Sequence, residues 1–533
     1  MNRRIIRSVF QLGSFALVVI IFIIILDSHI RVLPASIHDH LPSHHPGLVV
    51  TNLNIATCSS LNIFSSCTLD PKKWHRIEKD LYLGQGWASK AYLHIQRKRG
   101  EDLHPDDKIL VDLKVGRFNP GAGTDTKWES RPGGIWVLRA QHSTDSRKPI
   151  TSVDVLFGPD AVDPRPNWEL KEIQLLLDSK SEARLSIQRG ASTKIERPVP
   201  RIRKDGKFKI MQVADLHLAT GLGHCRDPIP AMADASKCEA DPRTLHFLDR
   251  LLEEEKPDLV VLTGDQVNGD TAPDAQTAIY KFADVFIKHK VPYAAIFGNH
   301  DDEGDLDRAA SMALLEQLPY SLSQRGPKDI DGVGNYVVEV LSKGSSSALT
   351  LYLLDSHKYT PDQNKYPGYD WLKPSQINWF RSTAQGLVKE HQHYTHIHMN
   401  LAFIHIPVPE YRNPNNTWKG NWTEPPTAPK YNSGFRDALV NENILIVSCG
   451  HDHVNDYCML EKEKEKPALW MCYGGGAGFG GYGGYNGFVR RIRFFDIDMN
   501  EARIMSYKRL EWGNTKDKVD EMMLVDGGNV VNR

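Results

Sequence analysis

From about residue 205 onward, apolar runs of strand length alternate with stretches of helical period, and this alternation confines the chain to an α/β layered architecture. Strands are expected at 208–213, 258–262, 293–297, 335–340, 349–354, 400–405 and 444–448. Helices are expected at 241–255, 275–288, 306–318 and 375–389, the first opened by Asp241-Pro242 as a cap followed by proline. Runs at 469–473, 488–497 and 502–507 read as antiparallel strands that complete a second sheet. Five short polar segments each closely follow one of the apolar strands. They are Ala214-Asp215-Leu216-His217, Gly264-Asp265-Gln266, Gly298-Asn299-His300-Asp301, His405, and Gly450-His451-Asp452-His453. Binding residues in such sheets gather beyond the carboxyl ends of strands, so segments far apart in sequence can share one rim.

The residue types in those segments point to metal. Carboxylates, imidazoles and an amide oxygen suit Mn, Fe or Zn. None of the five segments carries a cysteine, which excludes a structural thiolate zinc site there. A glycine beside Asp265, Asn299 and His451 is expected to let the backbone turn sharply as it leaves the strand. Each segment is weak alone; the ordered set, every member after a strand, is specific.

The rest of the chain organises around this unit. At 533 residues the chain is too long for one ordinary domain. Arg3, Arg4 and Arg7 precede an uncharged, largely apolar run at 9–26, long enough to cross a bilayer as a helix with the arginines left in the cytoplasm. Residues 1–30 are therefore expected to be an uncleaved membrane anchor, with the body lumenal in the secretory pathway or vacuole; a cleaved signal peptide is the rival. Residues 31–70, rich in Pro, Ser and His, read as a linker, 71–204 as a small β-rich domain, 205–510 as the α/β domain, and 511–533 as a loose polar tail. Among seven cysteines, Cys58 with Cys67 and Cys225 with Cys238 are close enough to pair, and the odd count leaves a free thiol. Sequons at Asn415 and Asn421 fit a lumenal body. The near balance of 65 basic and 66 acidic residues leaves no basic footprint for nucleic acid, so no such partner is expected.

Other motifs have blander readings. The run from Gly474 to Gly484 lacks the Lys-Ser/Thr of a phosphate loop and reads as a flexible loop near the rim. His391, His393, His396 and His398 read as loop and strand-edge residues. His357 falls near the site without a motif to place it, and Tyr411, Trp418 and Trp422 are candidates for substrate contact.

The ordered motifs resemble the calcineurin-like metallophosphoesterase family over roughly 205–510. Val213 to His217, Cys225-Arg226-Asp227-Pro228, Cys238 to Pro242 and the Gly474–Gly484 run are similar to a fungal group named for dosage-dependent cell-cycle regulator phosphatases, related to plant purple-acid-phosphatase-like proteins. The resemblance implies a four-layer sandwich, two β-sheets flanked by helices. It implies two divalent ions, the first held by Asp215, His217 and His453, the second by Asn299, His405 and His451, with Asp265 bridging. It gives His300, with Asp301 beside it, the catalytic part: a metal-bridging hydroxide attacks phosphorus and His300 protonates the leaving oxygen. The sequence departs from purple acid phosphatases in having Gln266-Val267-Asn268, without tyrosine, after Asp265, so a purple ferric centre is not implied. It also lacks the Asp-Arg-Gly ending of the large Ser/Thr phosphatases.

The expected function is hydrolysis of phosphate monoesters, with a phosphorylated protein as the substrate the resemblance suggests. Two rivals stand: a phosphodiesterase acting on nucleotides or lipid head groups, and a non-catalytic scaffold on the same fold.

Overall fold

The computed structural model describes residues 47–59, 67–142, 149–178, 180–231 and 234–532, which divide into two compact units. The expected membrane helix and most of the expected stalk lie outside the described residues. Among the described residues no helix is long and apolar enough to cross a membrane.

The first unit comprises residues up to 158 and 166–193. Its strands are β1 (Leu48–Ser59), β2 (His75–Arg76), β3 (Ser89–Arg99), β4 (Lys108–Val115), β5 (Trp128–Arg131), β6 (Ile135–Gln141), β7 (Ile150–Phe157), β8 (Trp168–Leu170) and β9 (Ala183–Arg189). They form three antiparallel sheets of one plan, β1-β3-β2, β4-β6-β5 and β7-β9-β8, in which the third strand inserts between the first two. The leading strand of each sheet has a bulge near its start, at Val50/Asn52, Leu110/Asp112 and Ile150/Ser152. Basic side chains tie the lobes into a ring. Arg131 donates to Leu53 O (3.2 Å), Arg189 to Val111 O (2.6 Å) and Lys79 to Val155 O (2.7 Å). Apolar residues from all three sheets share one core. The unit is thus a threefold internal repeat that the strand pattern alone did not display.

This corrects the expected linker. Residues 48–59 are a core strand whose Val50 and Leu53 are fully buried. Asn52 and Asn54, poor strand formers, accept the N–H of Leu53 and Ile55 and mask the strand in sequence.

The second unit comprises 159–165 and 194–533. Its strands are β10 (Lys207–Val213), β11 (Leu259–Thr263), β12 (Tyr293–Ile296), β13 (Tyr336–Leu341), β14 (Ser347–Leu353), β15 (Met399–Phe403), β16 (Trp418–Lys419), β17 (Ile446–Cys449), β18 (Cys458–Glu463), β19 (Lys466–Tyr473), β20 (Arg491–Asp498), β21 (Arg503–Leu510), β22 (Val519–Asp526) and β23 (Asn529–Val530). Two mixed seven-stranded sheets result, β12-β11-β10-β20-β21-β22-β23 and β13-β14-β15-β17-β19-β18-β16. Their facing sides, with Phe208, Ile210, Val261, Leu351, Leu401 and Phe495, form one core. Burying this apolar area at roughly 25 cal/mol per Å² is the main force joining the sheets. Helices α1 (Ala240–Glu255), α2 (Ala275–Lys288), α3 (Arg308–Leu315), α4 (Pro374–His391) and α5 (Phe435–Asn441) accompany the sheets, and α4 and α5 cover the outer face of the second through Phe380, Ala384 and Leu439.

Two further expectations change. Residues 519–526 are not a loose tail but a strand paired between β21 and β23, burying Leu524 and Val525, with Trp470 donating to Leu524 O (2.9 Å). Asp241 does not cap α1, whose cap position is Glu239; it is buried in the first turn and pairs with Lys281 (2.9 Å). Disulfides join Cys58–Cys67, Cys225–Cys238 and Cys458–Cys472, leaving Cys449 buried and free.

Candidate metal centre

Strands β10, β11, β12, β15 and β17 are parallel neighbours within their sheets, and each is followed by one of the five polar segments. The segments meet. Asp215, His217 and His453 form one cluster whose ligand atoms lie within 4.8 Å of one another, and Asp265, His405 and His451 form a second. All six are buried. The clusters share an edge: Asp265 Oδ2 lies 3.7 Å from His217 Nε2 in the first and 3.2 Å from His405 Nε2 in the second. Asn299 joins the second cluster with its Oδ1 3.3 Å from His405 Nε2.

The backbone is bent to achieve this. Asp215, His217, Asp265 and His451 all have positive φ, at 57°, 48°, 53° and 80°. A non-glycine residue in that region costs about 1–2 kcal/mol. Four such residues at one rim mark a place where side-chain direction outweighs local stability. Of the flanking glycines, Gly264 makes the expected turn with φ 91°, while Gly298 supplies room: a Cβ on it would sit 2.1 Å from Asp265 Oδ1.

Neighbours fix the rings. His405 donates Nδ1–H to Thr263 O (2.8 Å), and His217 donates Nδ1–H to Asn268 Oδ1 (3.3 Å). His453 donates Nδ1–H to Tyr482 O (3.1 Å) and its backbone N–H to the Tyr482 hydroxyl (2.6 Å), while the Tyr482 ring stacks on it at 3.7 Å. Tyr482 in turn donates to Glu424 (2.7 Å). Such contacts hold one tautomer and leave Nε2 of these rings for a cation. His451 turns its Nδ1 toward His405 Nε2 (3.3 Å), so in this ring it is Nδ1 that faces the cluster.

The charges agree. Burial pushes His217 down to about 4 and holds His451 and His453 well below the usual histidine range, keeping them as neutral imidazoles, the form that binds metal. Burial also opposes charge on His405, but Asp265 beside it outweighs this and raises it to about 9. A cation between His405 and Asp265 would take the place of that proton. The donor set therefore fits two divalent ions of the Mn, Fe or Zn kind.

His300 stands apart from the ligands. Its side chain is 30% exposed, its ring lies 5.3 Å from that of His217, and its backbone N–H donates to Asp265 Oδ1 (2.8 Å). Asp301, expected to share the catalytic part, does something else. Its buried carboxylate accepts the N–H groups of Asp265 (2.8 Å), Val267 (2.9 Å) and Gly298 (2.7 Å), tying two motif loops together. These three bonds make Asp301 an anchor for the two motif loops.

The glycine run is likewise not a flexible loop. Ala477 and Gly478 donate to Ala214 O and Asp215 O (both 3.0 Å), and a Cβ on Gly481 would meet His217 Cδ2 at 2.5 Å and His453 Cε1 at 2.6 Å. It lies against the ligand rings. Tyr411 is fully buried and its hydroxyl donates to Val447 O and Cys472 O, so it is no substrate contact. Trp422 stacks on Tyr457, and His357 is held by Gln376 (2.7 Å). His391 and His398 stack on one another at 3.5 Å. Sequence reasoning missed Tyr369, whose ring meets His451 edge-on at 4.4 Å with Tyr359 stacked behind it. It also missed Asn268, Tyr482 and Glu303. Asn268, in a segment already quoted for its lack of tyrosine, was the only one within reach.

Residues 208–455 match the family model described as calcineurin-like phosphoesterase. The Saccharomyces cerevisiae protein named Phosphatase DCR2 is 40% identical over 456 residues, covering 82% of this chain and 74% of its own. An Arabidopsis thaliana protein named Probable inactive purple acid phosphatase 29 is 37% identical over 333 residues, 59% of this chain and 82% of its own. The solved purple acid phosphatase PPD1 from yellow lupin seeds is 12% identical, with a TM-score of 0.38 over 74% of this chain and 68% of its own.

Proposed function

The chain belongs to the calcineurin-like phosphoesterase family, and from that premise we propose that it is a metal-dependent phosphatase acting on phosphate monoesters, phosphoproteins among them. The observation that carries this reading is the pair of buried ligand clusters sharing Asp265, with His300 beside them. Asp215, His217 and His453 would hold one ion, Asn299, His405 and His451 the other, with Asp265 common to both. Two such ions supply Lewis acidity and an activated water. The protein's own part is orientation and proton transfer: His300 gives the leaving oxygen its proton, worth roughly 10²–10⁴-fold. Substrate phosphate would find its positive charge in the ions, since Lys358 is occupied by Asp302 (2.6 Å) and Arg308 by Asp355 (2.5 Å). The three disulfides support a body in an oxidising compartment, in keeping with an N-terminal anchor and a lumenal location.

The test uses the full chain loaded with Mn, Fe or Zn against p-nitrophenyl phosphate, bis(p-nitrophenyl) phosphate and a phosphoserine peptide. Preferred turnover of the monoesters, lost with EDTA, is the expected result. Preferred turnover of the diester would make it a phosphodiesterase. No turnover of any of them, with Asp265→Asn silent in cells, would leave the scaffold reading.

A further inference from the structure

Four acidic residues follow the motif histidine within five positions, and the fold gives each a different task. Asp301 anchors backbone, as described above. Asp302 pairs with Lys358 (2.6 Å) and Arg308 (3.5 Å). Asp305 accepts the N–H of Ala275 at the start of α2 (2.8 Å). Glu303 alone turns to His300, its Oε2 2.6 Å from Nδ1. A turn in which Glu303 N–H donates to His300 O (3.3 Å) sets that approach. Gly269 supports it from behind, where a Cβ would stand 2.6 Å from Glu303 Cβ. The pair is about one-third exposed, so it faces the open side of the site while every other ligand-region histidine is buried.

We propose that Glu303 is the positioning residue for proton delivery by His300. This inference rests on the phosphatase reading given above. With Nδ1–H donated to Glu303, the imidazole is held in one orientation and Nε2–H is the proton left for substrate. In the step itself an oxygen of water bonds to phosphorus and the bond from phosphorus to the leaving oxygen breaks. The electron pair stays on the leaving oxygen, which takes the proton from Nε2. The Nδ1–H remains with Glu303; the attacking water releases one proton to solvent as its oxygen bonds to phosphorus and keeps the other, and solvent returns one proton to Nε2, so ester plus water gives alcohol plus hydrogen phosphate.

A good leaving group needs little proton help and a poor one needs much, and the test exploits that difference. The full chain, Mn-loaded, is assayed on p-nitrophenyl phosphate and on glycerol phosphate, as wild type, Glu303→Gln, Glu303→Asp and His300→Ala. Metal content and melting temperature are measured for each. Glu303→Gln is expected to lower kcat on glycerol phosphate about tenfold or more, with KM unchanged, while p-nitrophenyl phosphate stays within about twofold. Glu303→Asp is expected to recover part of the loss, and His300→Ala to show the same selectivity more strongly. If Glu303→Gln depresses both esters equally, or neither, while His300→Ala is selective, the role of Glu303 is overturned and the acid role of His300 stands. If His300→Ala is itself unselective, the acid role falls and Glu303 falls with it. If wild type hydrolyses neither ester, the phosphatase reading fails before either.

Discussion

The two ligand clusters sit side by side and are held by different neighbours. The first, Asp215 with His217 and His453, has the glycine run against both imidazoles and Tyr482 stacked over one of them, with hydrogen bonds from His217 to Asn268 and from His453 to Tyr482. The second, Asp265 with His405 and His451, has Gly264 and Gly298 against His405 and Asp265, the Tyr369 ring edge-on to His451, and hydrogen bonds from His405 to Thr263 O and from His300 N–H to Asp265. Packing against a ring tolerates no added atom, whereas a hydrogen-bonded ring tolerates loss of one partner at modest cost. The two metal positions should therefore fail under different substitutions.

The largest effect is expected where the clusters join. Asp265→Asn weakens both positions at once and should lower kcat by about 10³-fold, read with p-nitrophenyl phosphate. Gly481→Ala places a methyl against His217 and His453, so the first position should empty while the second stays filled. Affinity there should drop about 10²-fold, read by elemental analysis at graded metal concentration. Loss of both ions would show that the two positions are not separately supported. Asp301→Asn turns an amide N–H₂ toward backbone N–H groups and should cost about 2 kcal/mol, a factor of about 30, in unfolding by urea. In the protein that remains folded, relative rates on good and poor leaving groups should be unchanged, as befits an anchor. Tyr482→Phe keeps the stacking but removes the hydroxyl between His453 and Glu424. It should weaken the first position only about tenfold, and an unchanged second position confirms that the clusters are separately supported.

The ligands were legible in the sequence because their chemistry is local: a carboxylate or imidazole just past a strand end declares itself, and the rim of an α/β sheet gathers such residues. What supports them was not. Tyr482 reaches His453 only through tertiary packing, and Glu303 looked like one more acid in Asp301-Asp302-Glu303 until the turn singled it out. The Gly474–Gly484 run suggested looseness, yet the lack of Cβ atoms serves close approach to His217 and His453. In the fold, strands with continuous apolar runs such as β11 and β14 were evident, whereas β1, broken by Asn52 and Asn54, and β22, interrupted by Asp520 and Glu521, were not. The threefold plan of the first unit was hidden because it lies in strand order and bulge position, with no repeated residue string to show it.

The most direct test of the account is the number of metal ions bound per chain in purified full-length protein, by elemental analysis after equilibration with Mn, Fe or Zn. Two ions per chain, falling to one in Gly481→Ala, is the predicted result. One ion or none in the wild-type chain would contradict the paired centre and the chemistry derived from it.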